Sequence, residues 1–168
     1  MYIERNLSKI KKLAAIREDD NYRFRAFLKG KDREKIDRIV HRLHKKIITQ
    51  IDCSTCANCC SCLTTEVSET EINVLAHLEN MSPEEFQDAY CEMQLGDICL
   101  EDMPCRYLNG KSCSIYENRP EQCKTFPYTH KPGFVSRSLG MIRYYEICPI
   151  VFNLMEMLKE ELEFRRRF

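Results

Sequence analysis

The chain has 168 residues, 26 basic and 26 acidic side chains, 43% hydrophobic residues, no Trp and eleven Cys. That is long enough for a substantial core in a single domain. No apolar run approaches the roughly 18 residues needed to span a bilayer, and the opening MYIERNLSKIKKL alternates charge with aliphatics, so neither a transmembrane helix nor a secretory signal is expected and the protein is read as cytoplasmic.

The charge is unevenly placed. Residues 1–50 hold 15 basic and 7 acidic side chains, residues 51–103 hold 12 acidic and none basic, and residues 104–168 hold 11 and 7. An acidic segment within the molecule is available to meet the basic one, so nucleic acid and membrane are not expected partners.

In chain order, Ile3, Leu7, Ile10 and Leu13 recur at helical spacing. Gly30 and Asp32 mark a stop and a restart, and Ile36, Ile39, Val40, Leu43, Ile47 and Ile51 predict a longer helix running straight into Cys53. Ser68 with Glu71, and Ser82 with Glu85, are capping boxes opening two short helices, whose inner faces carry Ile72, Leu75 and Ala76, then Phe86, Ala89, Tyr90 and Met93; Gly96 closes the pair. The acidic residues of these first turns favour the helix dipoles.

Asn109-Gly110 predicts a hairpin with Cys105 and Cys113 on facing strands. A two-residue turn pairing residues that sum to 219 would put those cysteines on opposite faces, so one shared metal predicts a bulged three-residue loop. Pro120 starts a helical turn carrying Cys123, which Pro127 ends; residues 133–147 read as strand or irregular structure. Pro149 opens a last helix with Val151, Leu154, Met155, Leu158 and Leu162 as its core face, placing Cys148 at the N-cap, where the dipole favours a thiolate.

Eleven cysteines in a reducing cytosol are not a disulfide framework, and the odd count and the adjacent Cys59-Cys60 pair argue the same way. Five of them fall between positions 53 and 62. A thiol–disulfide redox pair needs a thioredoxin-like βαβ setting, which is absent from the pattern. Metal binding remains, because a CxxC step lets two sulfurs reach one ion while turn N–H groups spread the thiolate charge. Cys53, Cys56 and Cys59 with Cys148-Pro149 loosely reproduce the ligand run of a bacterial ferredoxin; four thiolates equally suit zinc, with Cys105, Cys113 and Cys123 available to either metal. Arg119 is a candidate to bridge carbonyls or sulfurs beside Tyr116, and His130 is the one histidine near the cysteines in sequence. There is no GxGxxG, GxxxxGK[ST] or HExxH, and no general acid–base pair is identifiable.

CxxCxxCC, then Pro104-Cys105, CSIYENRPEQCKTFP (113–127) and a late cysteine together resemble the YkgJ-type cysteine-cluster family, described as zinc- or iron-chelating and related to flagellin N-methylase. The resemblance covers residues 53–149. It implies eight ligand cysteines, Cys53, Cys56, Cys59, Cys60, Cys105, Cys113, Cys123 and Cys148, as two four-cysteine sites, an Fe–S cluster (4Fe–4S) with a mononuclear site, or one bridged cluster. Cys62, Cys91 and Cys99 lie outside it, with plain burial as the expectation for Cys91.

The expected fold is α+β and mostly helical: one domain, 1–168, made of a helical N-terminal arm (1–52), a cysteine-cluster metal-binding region (53–149) with a short hairpin, and a C-terminal helix (150–168), the metal-bound centre wrapped by the terminal helices. The leading functional reading is a zinc- or iron-binding module. Two alternatives are an S-adenosylmethionine-dependent protein-lysine methyltransferase, for which no methyl-donor region remains outside the cysteine region, and a zinc-stapled adaptor docking a protein through its basic helices.

Overall fold

The computed structural model describes residues 2–165. In chain order it contains helices α1 (Leu7–Ile16), α2 (Glu18–Lys29), α3 (Arg33–Ile48) and α4 (Cys53–Cys56), a 3-10 turn at Cys59–Ser61, strand β1 (Thr65–Glu66), helices α5 (Glu69–Leu78) and α6 (Pro83–Tyr90), strands β2 (Cys91–Gln94), β3 (Asp97–Leu100), β4 (Leu108–Asn109) and β5 (Ser112–Cys113), a 3-10 turn at Tyr116–Asn118, and helices α7 (Glu121–Thr125), α8 (Phe134–Tyr145) and α9 (Pro149–Glu161). The fold is α+β and mostly helical. It divides into two compact units, residues 2–52 with 127–165 and residues 53–126. No helix among the described residues is long and apolar enough to cross a membrane.

The helical unit is α1, α2, α3, α8 and α9. Ile36, Val40, Leu43 and Ile47 are buried along one stripe of α3, which packs against α8 and α9. The apolar face expected on α9 is buried through Leu158. Asn6 and Asp32 cap α1 and α3 by accepting from the backbone N–H of Lys9 and Lys35. Ile3 precedes α1; beside it, Glu4 N–H donates to Asn153 Oδ1 at 2.9 Å while Asn153 Nδ2 donates to the Glu4 carbonyl at 2.8 Å, pinning the chain's first residues to α9.

Residues 133–147 correct the sequence expectation. They form α8, not a strand, with Val135, Ser138, Met141 and Tyr145 buried on one side. The local sequence is rich in β-branched and aromatic residues, and the helix-starting signal comes from elsewhere. Asp37 of α3 accepts from the backbone N–H groups of Gly133 at 2.6 Å and Phe134 at 2.9 Å, supplying an N-terminal carboxylate cap from 96 residues away. Gly133 permits the entry by adopting φ +80°.

A second buried polar group organises this unit. Lys159 is 1% exposed; its ammonium donates to Asn21 Oδ1 at 2.6 Å and Glu156 Oε1 at 2.8 Å. The same Glu156 carboxylate accepts from Tyr145 Oη at 2.8 Å and Arg17 at 2.5 Å. Burial favours protonation of Glu156, yet Lys159, Tyr145 and Arg17 together hold it below the usual carboxylate range.

The other unit begins after a break that the sequence pattern did not anticipate: α3 stops at Ile48, and Thr49–Asp52 separate it from α4. Both capping boxes are present, Ser68 with Glu71 and Ser82 with Glu85. Helix α6 ends at Tyr90, so Met93, expected on its inner face, lies on β2. Gly96 turns a hairpin and does not end a helix; φ is +52° at Leu95 and +99° at Gly96. The sheet order is β1-β3-β2, antiparallel throughout. Val67, Ile72, Leu75, Phe86, Leu100 and Tyr107 form the core of this unit.

The hairpin of β4 and β5 also differs from expectation. Leu108 pairs with Cys113 and Asn109 with Ser112, so the loop is the two residues Gly110-Lys111, one place later than predicted and without a bulge. Gly110 supplies φ +60°. The opposite-face rule fails because the ladder ends at Leu108: Cys105 precedes it in a turn closed by Leu108 N–H donating to the Cys105 carbonyl at 2.9 Å.

The two polar anchors of the helical unit yield a thermodynamic expectation. Glu156→Ala leaves the Lys159 ammonium buried without its counter-charge and is expected to cost about 3 kcal/mol, whereas Asp37→Ala removes a cap and costs about 1 kcal/mol, both read from denaturant melts. Because Glu156 has a lowered folded pKa, its contribution is fully present above the unfolded value near 4.5 and is lost as pH falls through the lower folded value, so acid should narrow the gap between wild type and Glu156→Ala.

Candidate metal centre

Seven of the eight expected ligand cysteines lie in residues 53–126: Cys53, Cys56, Cys59, Cys60, Cys105, Cys113 and Cys123. Cys53 and Cys56 bracket α4, three residues apart and therefore on one face of its single turn. The chain then reverses at Ala57, which adopts φ +53° although it is not glycine, and enters the 3-10 turn that carries Cys59 and Cys60. Their sulfurs are 4.0 Å apart.

Separate segments bring the others in. Cys105 N–H donates to the Cys60 carbonyl at 2.8 Å, coupling the turn before β4 directly to the cluster. Cys113 lies on β5, the strand that packs against α4, and both Cys105 and Cys113 lean on the apolar core. Cys123 sits on α7, where its sulfur is 3.7 Å from Thr65 Oγ1 of β1.

The electrostatics show that four of these thiols share one neighbourhood. Burial pushes Cys123 up to about 11; Thr65 opposes the rise, and negative charge on Cys60, Cys105 and Cys113 adds to it. Cys105 is raised by burial and again by Cys60 and Cys113. Cys60 moves the other way, to about 6, through its contact with Cys59, against the cost of burial. Like charge gathered in a part-buried place thus disfavours ionisation of Cys105 and Cys123, and a cation there would favour it. Among the described residues, however, no group of three or more His, Cys, Asp or Glu is converged to metal-holding geometry. What the fold brings into one neighbourhood is four thiols, a donor type that soft metals prefer.

Arg119, Arg106, His130 and Cys148 have the following surroundings. Arg119 donates to the single carbonyl of Tyr116 and lies 3.7 Å over that ring. Arg106 lies 3.2 Å over Tyr90 and pairs with Asp102 and Glu79. His130 belongs to the helical unit, its ring 5.7 Å from that of His44, whose Nδ1 is 2.8 Å from Thr129 Oγ1. Cys148 is buried at the N-cap of α9, also in the helical unit.

The three remaining cysteines separate by environment. Cys91, on β2 and not on a helix face, and Cys99, on β3, both have thiols raised by burial, the behaviour of small core residues. Cys62 is exposed and donates its S–H to the Asn58 carbonyl. Two residues near the thiols had no sequence signal. Thr65 reaches Cys123 from 58 residues away, and Gln122 Oε1 accepts from Glu66 N–H at 2.7 Å, tying α7 to β1; each is an unremarkable polar residue until the fold brings it there.

A mostly helical α+β chain whose small cysteine-dense unit draws thiols from separate segments has the donor chemistry of the metal-chelating proteins. More narrowly, the family model CxxCxxCC, "Putative zinc- or iron-chelating domain", matches residues 52–149, more than half of the sequence, and the chain belongs to that family. No curated protein and no solved structure matched it.

In metal-free protein the thiolate fractions order the reactivities. Near pH 7.5 Cys60 is mostly ionised and Cys123 almost wholly protonated, so limiting alkylation read by peptide mass spectrometry should label Cys60 well before Cys123, with the Cys60 rate falling as pH drops through about 6. Equal labelling of the two would contradict this environment.

Proposed function

We propose that the chain binds zinc or iron through thiolates, with Cys60, Cys105, Cys113 and Cys123 as one four-thiolate site and Cys53, Cys56 and Cys59 as a second donor group. Cys148 is kept as the eighth ligand on the family pattern alone, since the matched span runs to 149. The observation that carries the reading is that four separate pieces of chain bring Cys60, Cys105, Cys113 and Cys123 within electrostatic reach, with Cys60 bonded through its carbonyl to Cys105 N–H and all three others raising Cys123.

When bound, the ion neutralises thiolates that otherwise repel one another, and supplies a cross-link between segments that are short in themselves. The chain's own residues then hold and tune the sulfurs. The Cys105 N–H bond to the Cys60 carbonyl fixes the spacing of two of them, and Thr65 Oγ1 is placed to donate to the Cys123 thiolate, spreading its charge. The apolar core behind Cys105 and Cys113 keeps water from one side of the site. Four protein ligands leave no open position, which favours a structural zinc site for this set, whereas the CxxCxxC run keeps iron–sulfur chemistry open for the outer group. We read the protein as a cytoplasmic metal-dependent module.

Anaerobic purification followed by metal analysis and an absorption spectrum on the same sample tests this. The expected result is at least about one tightly held zinc or iron per chain, with the zinc sample colourless and an iron–sulfur sample brown with a broad band near roughly 400 nm. Chelation should cost amide hydrogen-exchange protection in α5, α6 and the β4–β5 hairpin while α3 and α9 keep theirs. Protein that holds neither metal, or whose cysteine unit is equally protected without it, would sink the proposal.

A further inference from the structure

The carboxylate of Glu71 serves two helices at once. Its Oε2 accepts from the Ser68 backbone N–H at 2.7 Å and from Ser68 Oγ at 2.7 Å, completing the capping box of α5. Its Oε1 accepts from the backbone N–H of Glu121 at 2.6 Å, the first residue of α7, from 50 positions away. Pro120 is the N-cap of α7 and makes no side-chain hydrogen bond to the helix, so this first amide is satisfied by Glu71. A capping box needs only one carboxylate oxygen, and here the second is turned to another element.

That element carries one thiol of the proposed site. Helix α7 has five residues, too short to hold its own direction, and it carries Cys123 two positions after the amide that Glu71 receives. The tie from Gln122 Oε1 to Glu66 N–H and the approach of Thr65 Oγ1 to the Cys123 sulfur secure the other side of the same turn. From this geometry we infer that Glu71 is a positioning residue for the metal site: it sets Cys123 by holding the first amide of α7, a role beyond capping α5. The inference rests on the proposed thiolate site.

The donor can be deleted without touching Glu71. Glu121→Pro removes the N–H at the first helical position, where proline is tolerated, and Pro120 before it is already extended with φ −52° and ψ 152°. Glu121→Ala keeps the N–H and removes only the side chain. Competition of each protein for zinc against a chelator, with the thiolate-to-cobalt charge-transfer intensity per bound cobalt as second readout, is measured well below the melting temperature. Expected is about a tenfold loss of affinity and a weaker charge-transfer band for Glu121→Pro, with Glu121→Ala like wild type. Ser68→Ala weakens the α5 cap and should lower the melting temperature while leaving zinc affinity in place.

Unchanged affinity in Glu121→Pro overturns the inference while leaving the metal reading standing. Should Glu121→Pro not fold, Glu71→Ala against Ser68→Ala carries the same comparison: equal losses of affinity mean that Glu71 acts only through α5 and overturn the inference, and a loss confined to Glu71→Ala supports it. Wild-type protein that binds none of zinc, cobalt and iron overturns both readings together, so the two failures are told apart.

Discussion

The repulsion among gathered thiols is the constraint on which the cysteine unit depends. Burial and neighbouring negative charge push Cys123 and Cys105 up, so the set can be brought together only with most of its protons retained or with a cation in their place. Everything that delivers these sulfurs is short: α4 is one turn, β4 and β5 are two residues each, and α7 has five residues. Such pieces have little stability of their own, and here they are tied by single hydrogen bonds between distant positions, Cys105 to Cys60 and Glu121 to Glu71 among them. A cross-linking ion suits this construction, because it supplies cohesion where the apolar core, built mainly from α5, α6 and β3, does not reach.

The helical unit solves a comparable problem without a metal. Lys159 and Glu156 are withdrawn from water, and each is fully engaged: the ammonium by Asn21 and the carboxylate, the carboxylate further by Tyr145 and Arg17. Such a network adds little net stability over an apolar core, but it specifies how the helices meet, since any other docking would strand a charge. Asp37 adds a second specification by requiring α8 to start where α3 can cap it.

Signals carried within one turn of chain were legible in the sequence. Both capping boxes, the Asp32 restart, the α7 turn after Pro120 and the α9 start at Pro149 stand where local chemistry puts them. What was not legible depends on distant partners. Residues 133–147 carry the valine, isoleucine and tyrosine of a strand and become a helix because Asp37 caps them and their buried positions repeat at helical spacing. Residues 91–93 fit the end of a helix closed by Gly96 because Gly96 serves equally as a helix stop or a hairpin turn, and the choice falls to β3, which pairs with both β1 and β2. The β4–β5 register was missed because Asn-Gly is a strong turn signal that says little about which residue begins the loop, and the loop here begins at the glycine.

For the candidate site, the list of cysteines was legible and their grouping was not. Spacing favours sets drawn from neighbours, and so Cys53, Cys56 and Cys59 read as one run; it cannot show that Cys60, whose sulfur is 4.0 Å from that of Cys59, also acts on Cys105 and Cys123. Environment then sorts the rest. Cys91 is raised by burial and by one thiol, Cys99, with the Arg106 cation opposing the rise; Cys123 is raised by burial and by three thiols with no cation opposing it, an electrostatic cost that a bound cation would relieve.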